Sequence, residues 1–299
     1  MTAAARFSRF ALVAFIMMLS LSGCQFLRPS YGPVKPFSPA PARLGDILPQ
    51  LEQRWPQVQT YQAEGAMSVS GGLTGRVGLT TKFYYRFPYQ MRLRADRGAL
   101  TVLEVLQSGD QVAILDNTSR RLYYGSVQQL RNSPEVIGGL EPLQVANALL
   151  IGHTFLRTVR DVQATGAEPQ GIRFSGGTAT LARKMASAGP NLPEQIEEYT
   201  IRRRDGLIQG VRLTEKMPDG SARTLTVKYN SWGGTAEHPY PKSMTIDSSN
   251  PRTRLRVTVD SATMNPNLQP GVFTVDPQRY QVMPLQELLQ GTKTAIDTQ

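Results

Sequence analysis

Cys24 is the only cysteine among 299 residues, so thiol chemistry in this chain runs through a single sulfur. One thiol excludes an internal disulfide, a CxxC redox pair and an all-thiolate metal site. It can still form one thioether to an alkyl group, and the residues ahead of it suit that use. Arg6 and Arg9 give a positive start with no acid nearby, and Phe10 to Leu21 (FALVAFIMMLSL) is an apolar run of 12 residues. That length fits an export signal and is too short to cross a bilayer. Ser22 and Gly23, just ahead of Cys24, are small enough for a peptidase pocket. Other reactive groups are sparse. His153 and His238 are the only histidines, too few for a histidine-rich metal centre. Glu197 and Glu198 are neighbours, so on a strand they face opposite ways and cannot act as a paired acid and base. Two carboxylates brought from distant strands would leave no mark, so glycoside hydrolysis stays open at this level. No GxSxG, SxxK, HExxH or P-loop pattern occurs. The expectation is therefore no enzyme, no catalytic residue, no metal and no cofactor.

Leu21-Ser22-Gly23-Cys24 resembles a bacterial lipobox; the alternative is a secretory signal with a chance cysteine. The resemblance implies that residues 1–23 are removed, and that Cys24 carries a diacylglycerol on sulfur and an acyl group on its new amine. Acyl chains contribute about 0.8 kcal/mol per buried methylene, so two or three on one residue anchor a protein stably to membrane lipid. Gln25 stands where an aspartate would imply inner-membrane retention, so the same resemblance implies the outer membrane, facing the periplasm. In residues 24–42, Pro29, Pro33, Pro36, Pro39 and Pro41 favour a polyproline-II tether with about 3.1 Å per residue and roughly 50 Å of reach. The formal charge is +10, from 33 Lys and Arg against 23 Asp and Glu. Export and the lack of an aromatic–basic stacking module set nucleic acid aside as a partner.

These groups need a body, and residues 43–299 read as one domain made mainly of strands. Leu44, Ile47, Leu48, Leu51 and Trp55 recur three or four apart, as on a helix that Pro49 starts or kinks. After Pro56 the period becomes two. Leu73, Val77, Leu79, Phe83, Tyr85 and Phe87 share one face of a long strand ended by Pro88, and Gly75 and Gly78 let it curve. Met91, Leu93 and Ala95 alternate with Arg92 and Arg94; Leu225, Val227 and Tyr229 alternate with Thr224, Thr226 and Lys228. Leu255, Val257 and Val259 do the same against Arg254, Arg256 and Thr258. Turn signals at Ser108-Gly109-Asp110, Asp116-Asn117, Arg204-Asp205-Gly206 and Pro218-Asp219-Gly220 join these half-wet strands by short hairpins, which predicts antiparallel pairing. Leu140 to Ile151 (LEPLQVANALLI) reads as an apolar helix between two groups of strands, and Leu285 to Leu289 as a second short one. Lys184 to Glu194 reads as an irregular loop. His153 then falls just past the first helix, in a capping or solvated place, and His238 in a Pro-rich turn. The expected fold class is mostly β (α+β), one curved antiparallel sheet with helices on its concave side. Arg76, Arg86, Arg92, Arg94, Arg254 and Arg256 would line the wet face, serving solubility or meeting anionic headgroups.

Three stretches go further. Tyr61-Gln62-Ala63-Glu64-Gly65 opens the first strand. Met91 to Asp96, Thr101 to Gln107 and Gln111 to Asp116 follow as third to fifth strands. Tyr240-Pro241-Lys242, a strand to Met264, Asn265-Pro266-Asn267-Leu268 and Val272-Phe273-Thr274-Val275 close the sheet. In this order, over about residues 44–282 and behind a lipobox, they resemble the LolA/LolB superfamily of bacterial lipoprotein carriers and receptors. The resemblance implies an incomplete β-barrel with a helical lid over an apolar cavity for acyl chains, and the anchor sides with LolB. It makes Phe83, Tyr85, Phe87, Leu93 and Leu149 candidates for the cavity wall. Arg97, Gly98, Ala99 and Leu100, between the third and fourth strands, become candidates for a loop that inserts cargo into the membrane. The implied function is binding of acyl chains or lipoproteins, received from a periplasmic carrier, in lipoprotein localisation. The other class left open is an envelope scaffold or sensor of the same fold with its cavity closed.

Overall fold

The computed structural model describes residues 49, 51–55, 57–71, 77–131, 141–165, 172–175, 177–185, 194–216, 220–235, 238–249 and 252–290. The expected export signal, Cys24, the expected tether, Leu73 to Arg76 and Pro218-Asp219 lie outside them, as does most of the expected 184–194 loop. Fourteen strands occur among the described residues: β1 Thr60–Gly71, β2 Val77–Arg86, β3 Gln90–Arg97, β4 Leu100–Ser108, β5 Gln111–Asp116, β6 Arg121–Ser126 and β7 Ile172–Ser175. They continue as β8 Thr178–Met185, β9 Glu194–Arg202, β10 Ile208–Lys216, β11 Ala222–Gly234, β12 Pro239–Ser249, β13 Arg252–Met264 and β14 Gln281–Pro284. All lie in one sheet of order β14-β6-β5-β4-β3-β2-β1-β13-β12-β11-β10-β9-β8-β7, unclosed at β14 and β7. The expected fold class holds: mostly β, a single curved sheet that does not close. Pairing is antiparallel throughout except β14, which lies parallel to β6 and departs from the all-antiparallel expectation.

The seam between β1 and β13 joins the two arms of the sheet. It contains a bulge at Glu64/Gly65, where a Cβ on Gly65 would run into the backbone carbonyl of Thr258. Just past the seam, Asn265 ties the residues leading into β1 to the end of β13. Its Oδ1 accepts from the backbone of Gln59 at 2.7 Å, and its Nδ2 donates to the carbonyl of Gln57 at 3.1 Å. Asn265 has φ +55, a left-handed conformation that asparagine tolerates better than most residues.

Strand alternation puts apolar side chains on the concave face. Ala63, Phe83, Leu93, Val105, Ile114 and Tyr123 stand opposite one another on six consecutive strands, β1 to β6. Helices α1 Val127–Arg131, α2 Pro142–Leu149, α3 Ile151–Thr165 and α4 (residues 285–290) accompany the sheet, with helical residues at 51–54. The main core joins Leu51, Trp55, Leu149, Phe155, Leu156 and Val159 to the inner face of β1–β3 and β8–β13. A second cluster packs α1 and α4 on β5 and β6 through Val127, Leu130, Leu285 and Leu289. Pro142 opens α2, where its missing N–H is no loss, and the backbone N–H of Glu141 donates to Gln144 Oε1 at 3.0 Å. The Glu141 carboxylate takes two bonds from Arg131, at 2.7 and 3.0 Å, linking α1 to α2.

Several expectations are corrected. The apolar helix starts at Pro142 and breaks at Leu150, and a second helix, α3, runs on from Ile151. His153 is therefore inside a helix rather than beyond one. The described strand β2 starts at Val77 and ends at Arg86, so Phe87 lies in the turn, 36% exposed. Val272 to Val275 is no strand: Pro270–Phe273 forms a 3-10 turn on the convex side. The arginines of the wet face are partly engaged there. Arg92 donates to Glu104 at 2.8 Å and to the carbonyl of Val272 at 2.8 Å, and Arg86 lies over the Phe273 ring at 4.8 Å. These two side chains strap residues 268–273 across the sheet instead of facing a lipid.

Candidate binding site

Helix α2 lies along the concave face because Val145, Ala146, Ala148 and Leu149 form its buried side. The buried Tyr229 hydroxyl on β11 donates to the Ala148 carbonyl at 3.0 Å and satisfies an orphan acceptor in the last turn. Burial pushes that phenol well above the ordinary tyrosine pKa, so it stays a donor at any physiological pH. On the next helix, Tyr199 of β9 meets Phe155 edge to face, with ring centroids 5.2 Å apart, and its hydroxyl lies 3.3 Å from Thr158 Oγ1. The lid is thus pinned to the far arm of the sheet by two tyrosines.

Two apolar hollows remain beneath it, one on either side of Leu149. The inner one is lined by Met67, Phe83, Leu93, Val145, Leu149 and Val257, with Gly65 at the bulge. The outer one, under the α2–α3 junction, is lined by Trp55, Leu149, His153, Trp232, Tyr240 and Met264. Each has a cavity volume of about 20 Å³, far below the roughly 300–1,000 Å³ of ordinary ligand pockets, so with the helices in this position neither has room for an acyl chain. Trp55 and Trp232 stack tilted at 6.3 Å in the outer hollow, and Tyr229 lies 5.5 Å from Trp232. The Tyr61 hydroxyl is fully buried nearby without a hydrogen-bond partner, and burial pushes its pKa far up.

Of the wall candidates read from sequence, Phe83, Leu93 and Leu149 come together in the inner hollow. Tyr85 is buried on the same face but bonds Pro88 through its hydroxyl at 3.0 Å, outside the lining. Phe87 sits edge-on to His153, with centroids 6.0 Å apart, at the rim. Arg97, Gly98, Ala99 and Leu100 are all exposed at the tip of the β3–β4 hairpin, with Leu100 72% exposed and Gly98 at φ +64. Sequence reasoning missed Trp55, Trp232 and Val145. The pairing of the only two tryptophans was a signal that composition alone could not place.

His153 is the one titratable side chain lining the outer hollow with a shifted pKa to match. Its Nε2 is buried without a partner, and desolvation, aided by Arg157 and Arg160, holds the imidazole below 6.5. A histidine that is harder to protonate when folded makes the unfolded state the better proton binder below about 6.5, so stability falls as pH drops through that range. Denaturant titrations at pH 7.5 and 5.5 should show this loss, and His153→Gln should shrink it. An unchanged pH dependence in the variant would put the loss elsewhere.

Among the described residues no three His, Cys, Asp or Glu side chains gather as a metal site, and no helix is long and apolar enough to cross a membrane. The half-barrel superposes on the crystal structure of a LolA superfamily protein from Nitrosomonas europaea. The TM-score is 0.51 at 10% identity, over 78% of this chain and 97% of that one. The fold is LolA-like. The same LolA-like sheet matches a domain named for outer membrane lipoprotein sorting from Vibrio parahaemolyticus, with TM-score 0.50 and 8% identity over 77% and 95% of the two chains. It also matches a DUF1329 family protein from Desulfovibrio piger, with TM-score 0.53 and 12% identity over the same shares. No protein-family model matches the chain, and no curated protein does. At such identities the likeness carries the LolA-like fold and nothing finer.

Proposed function

We propose that this chain is an outer-membrane lipoprotein, held by acylated Cys24, whose half-barrel takes up acyl chains of lipoprotein cargo during lipoprotein localisation. The observation that carries this reading is the pair of apolar hollows meeting at Leu149 beneath a lid made of α2 and α3. Chemistry supports it: a saturated chain needs only apolar contact, and the inner lining is mostly apolar, with Glu64, Thr81 and Thr258 the polar residues in it. Lifting α2 would join the hollows into one groove. The named relative in lipoprotein sorting and the lipobox-like leader point the same way. Cargo would arrive from a periplasmic carrier.

The test uses residues 43–299, which contain the whole described half-barrel, exported behind a cleavable signal so that no self-anchor competes. Native mass spectrometry should find a phospholipid or an added triacylated peptide bound, and Leu149→Glu should abolish it. An empty protein that ignores acylated peptide would sink the transport reading. The scaffold or sensor reading is favoured by one observation, the filling of the outer hollow by Trp55, Trp232 and Tyr240. It expects that empty result.

A further inference from the structure

The two ends of the half-barrel differ in charge and in exposed apolar residues. At one end lie the β2–β3 turn, the β9–β10 turn, and the start of β1, since Thr60 pairs with Arg86 and Ile208 with Ile201. The Leu100 hairpin tip is at the other end, roughly 20–25 Å along the strands. The first end shows Phe87 and Tyr89, which are 36% and 53% exposed, beside helix α3.

On the same side of α3 as His153, which lines the outer hollow, Arg157 and Arg160 follow four and seven residues on. Arg160 shares its charge with Glu52 at 2.9 Å. Further along the same end, Arg202 and Arg204 converge on the single carboxylate of Asp205, at 2.6 and 3.3 Å. Arg54 feels that carboxylate too. Among the described residues of this band cations outnumber carboxylates, and two exposed aromatics stand at its margin.

A tyrosine ring settles at the headgroup layer by its polar edge, a phenylalanine beside it adds apolar surface, and arginines near a surface of anionic lipid are drawn to it. We propose that this end of the half-barrel is a docking face for a bilayer containing anionic phospholipid. Phe87 and Tyr89 enter the headgroup layer and Arg157 and Arg204 meet lipid phosphates. Docking leaves the Leu100 tip pointing away from the membrane. The inference builds on the proposed anchor but is tested apart from it.

If Cys24 is a thioether, a new cysteine is the only free thiol. The acylated full-length mature protein carrying Tyr89→Cys or Leu100→Cys is labelled with bimane and reconstituted in vesicles. Vesicles are phosphatidylethanolamine with about one-third phosphatidylglycerol, or phosphatidylcholine alone, each with a nitroxide lipid as quencher. Quenching at position 89 should be several-fold stronger in the anionic vesicles. It should drop several-fold with Arg157→Glu or at high salt, while position 100 stays unquenched. Quenching at 100 in place of 89 would overturn the orientation, and an unquenched label at both would overturn docking. Intact mass and thiol titration before labelling report acylation separately. An unacylated chain refutes the anchor, and the docking test then proceeds with Cys24→Ser, where any vesicle binding rests on the face alone.

Discussion

Gly65→Ala should destabilise the protein by about 3–5 kcal/mol, one of the largest effects any single methyl group can have here. The added carbon would overlap the Thr258 carbonyl oxygen, a backbone atom of the neighbouring strand that cannot rotate away. Relief requires β1 to separate from β13, and that seam is what makes two arms one sheet. For a domain of this size the melting temperature should fall by about 10 °C. Gly78→Ala on the next strand is the control, because a Cβ there meets nothing within 4 Å. That variant should stay within about 0.5 kcal/mol of the parent. Thermal melts of the pair, monitored by circular dichroism, check the contrast. Equal stability of the two would mean the bulge relaxes at no cost.

Gly152→Ala is the second large effect and carries an inverted sign. In an ordinary helix interior, replacing glycine with alanine gains about 1 kcal/mol. Here the new methyl would strike the Trp55 indole, against which the α2–α3 junction is packed. The net result should be a loss of about 2–3 kcal/mol, from overpacking a large rigid ring. A double-mutant cycle isolates the cause. In a Trp55→Ala background the same substitution should be neutral or mildly stabilising, since the obstacle is gone. A penalty that survives there would refute the close approach as its source. The pair also reports on the lid, because Trp55 and Gly152 both line the outer hollow.

The strands that were legible beforehand share one property. Met91-Arg92-Leu93-Arg94-Ala95, Leu225 to Tyr229 and Leu255 to Val259 each bury alternate residues against one face, and the structure places all three as expected. Helix α3 escaped because Gly152, Thr154, Thr158 and Val159 are weak helix formers, although Ile151, Phe155, Leu156 and Val159 give it a buried apolar side. Its stability comes from packing on Tyr199 and Trp55. Phe87 escaped in the opposite way. It has the parity of Phe83 and Tyr85, but the described strand ends one residue before it, so parity no longer decides its face.

Period-two alternation and the turn dipeptides are local patterns, written by residues a few positions apart. They were sufficient for a curved antiparallel sheet with helices on one side. Pairings between distant residues leave no such record. Tyr61 lies against Met264, and Asn265 holds the backbone of Gln59 across 206 positions. Strand order, the β1–β13 seam and the meeting of Phe83, Leu93 and Leu149 under one helix were decided only by tertiary packing. Burial on a common face is a property of strand order as well as of parity.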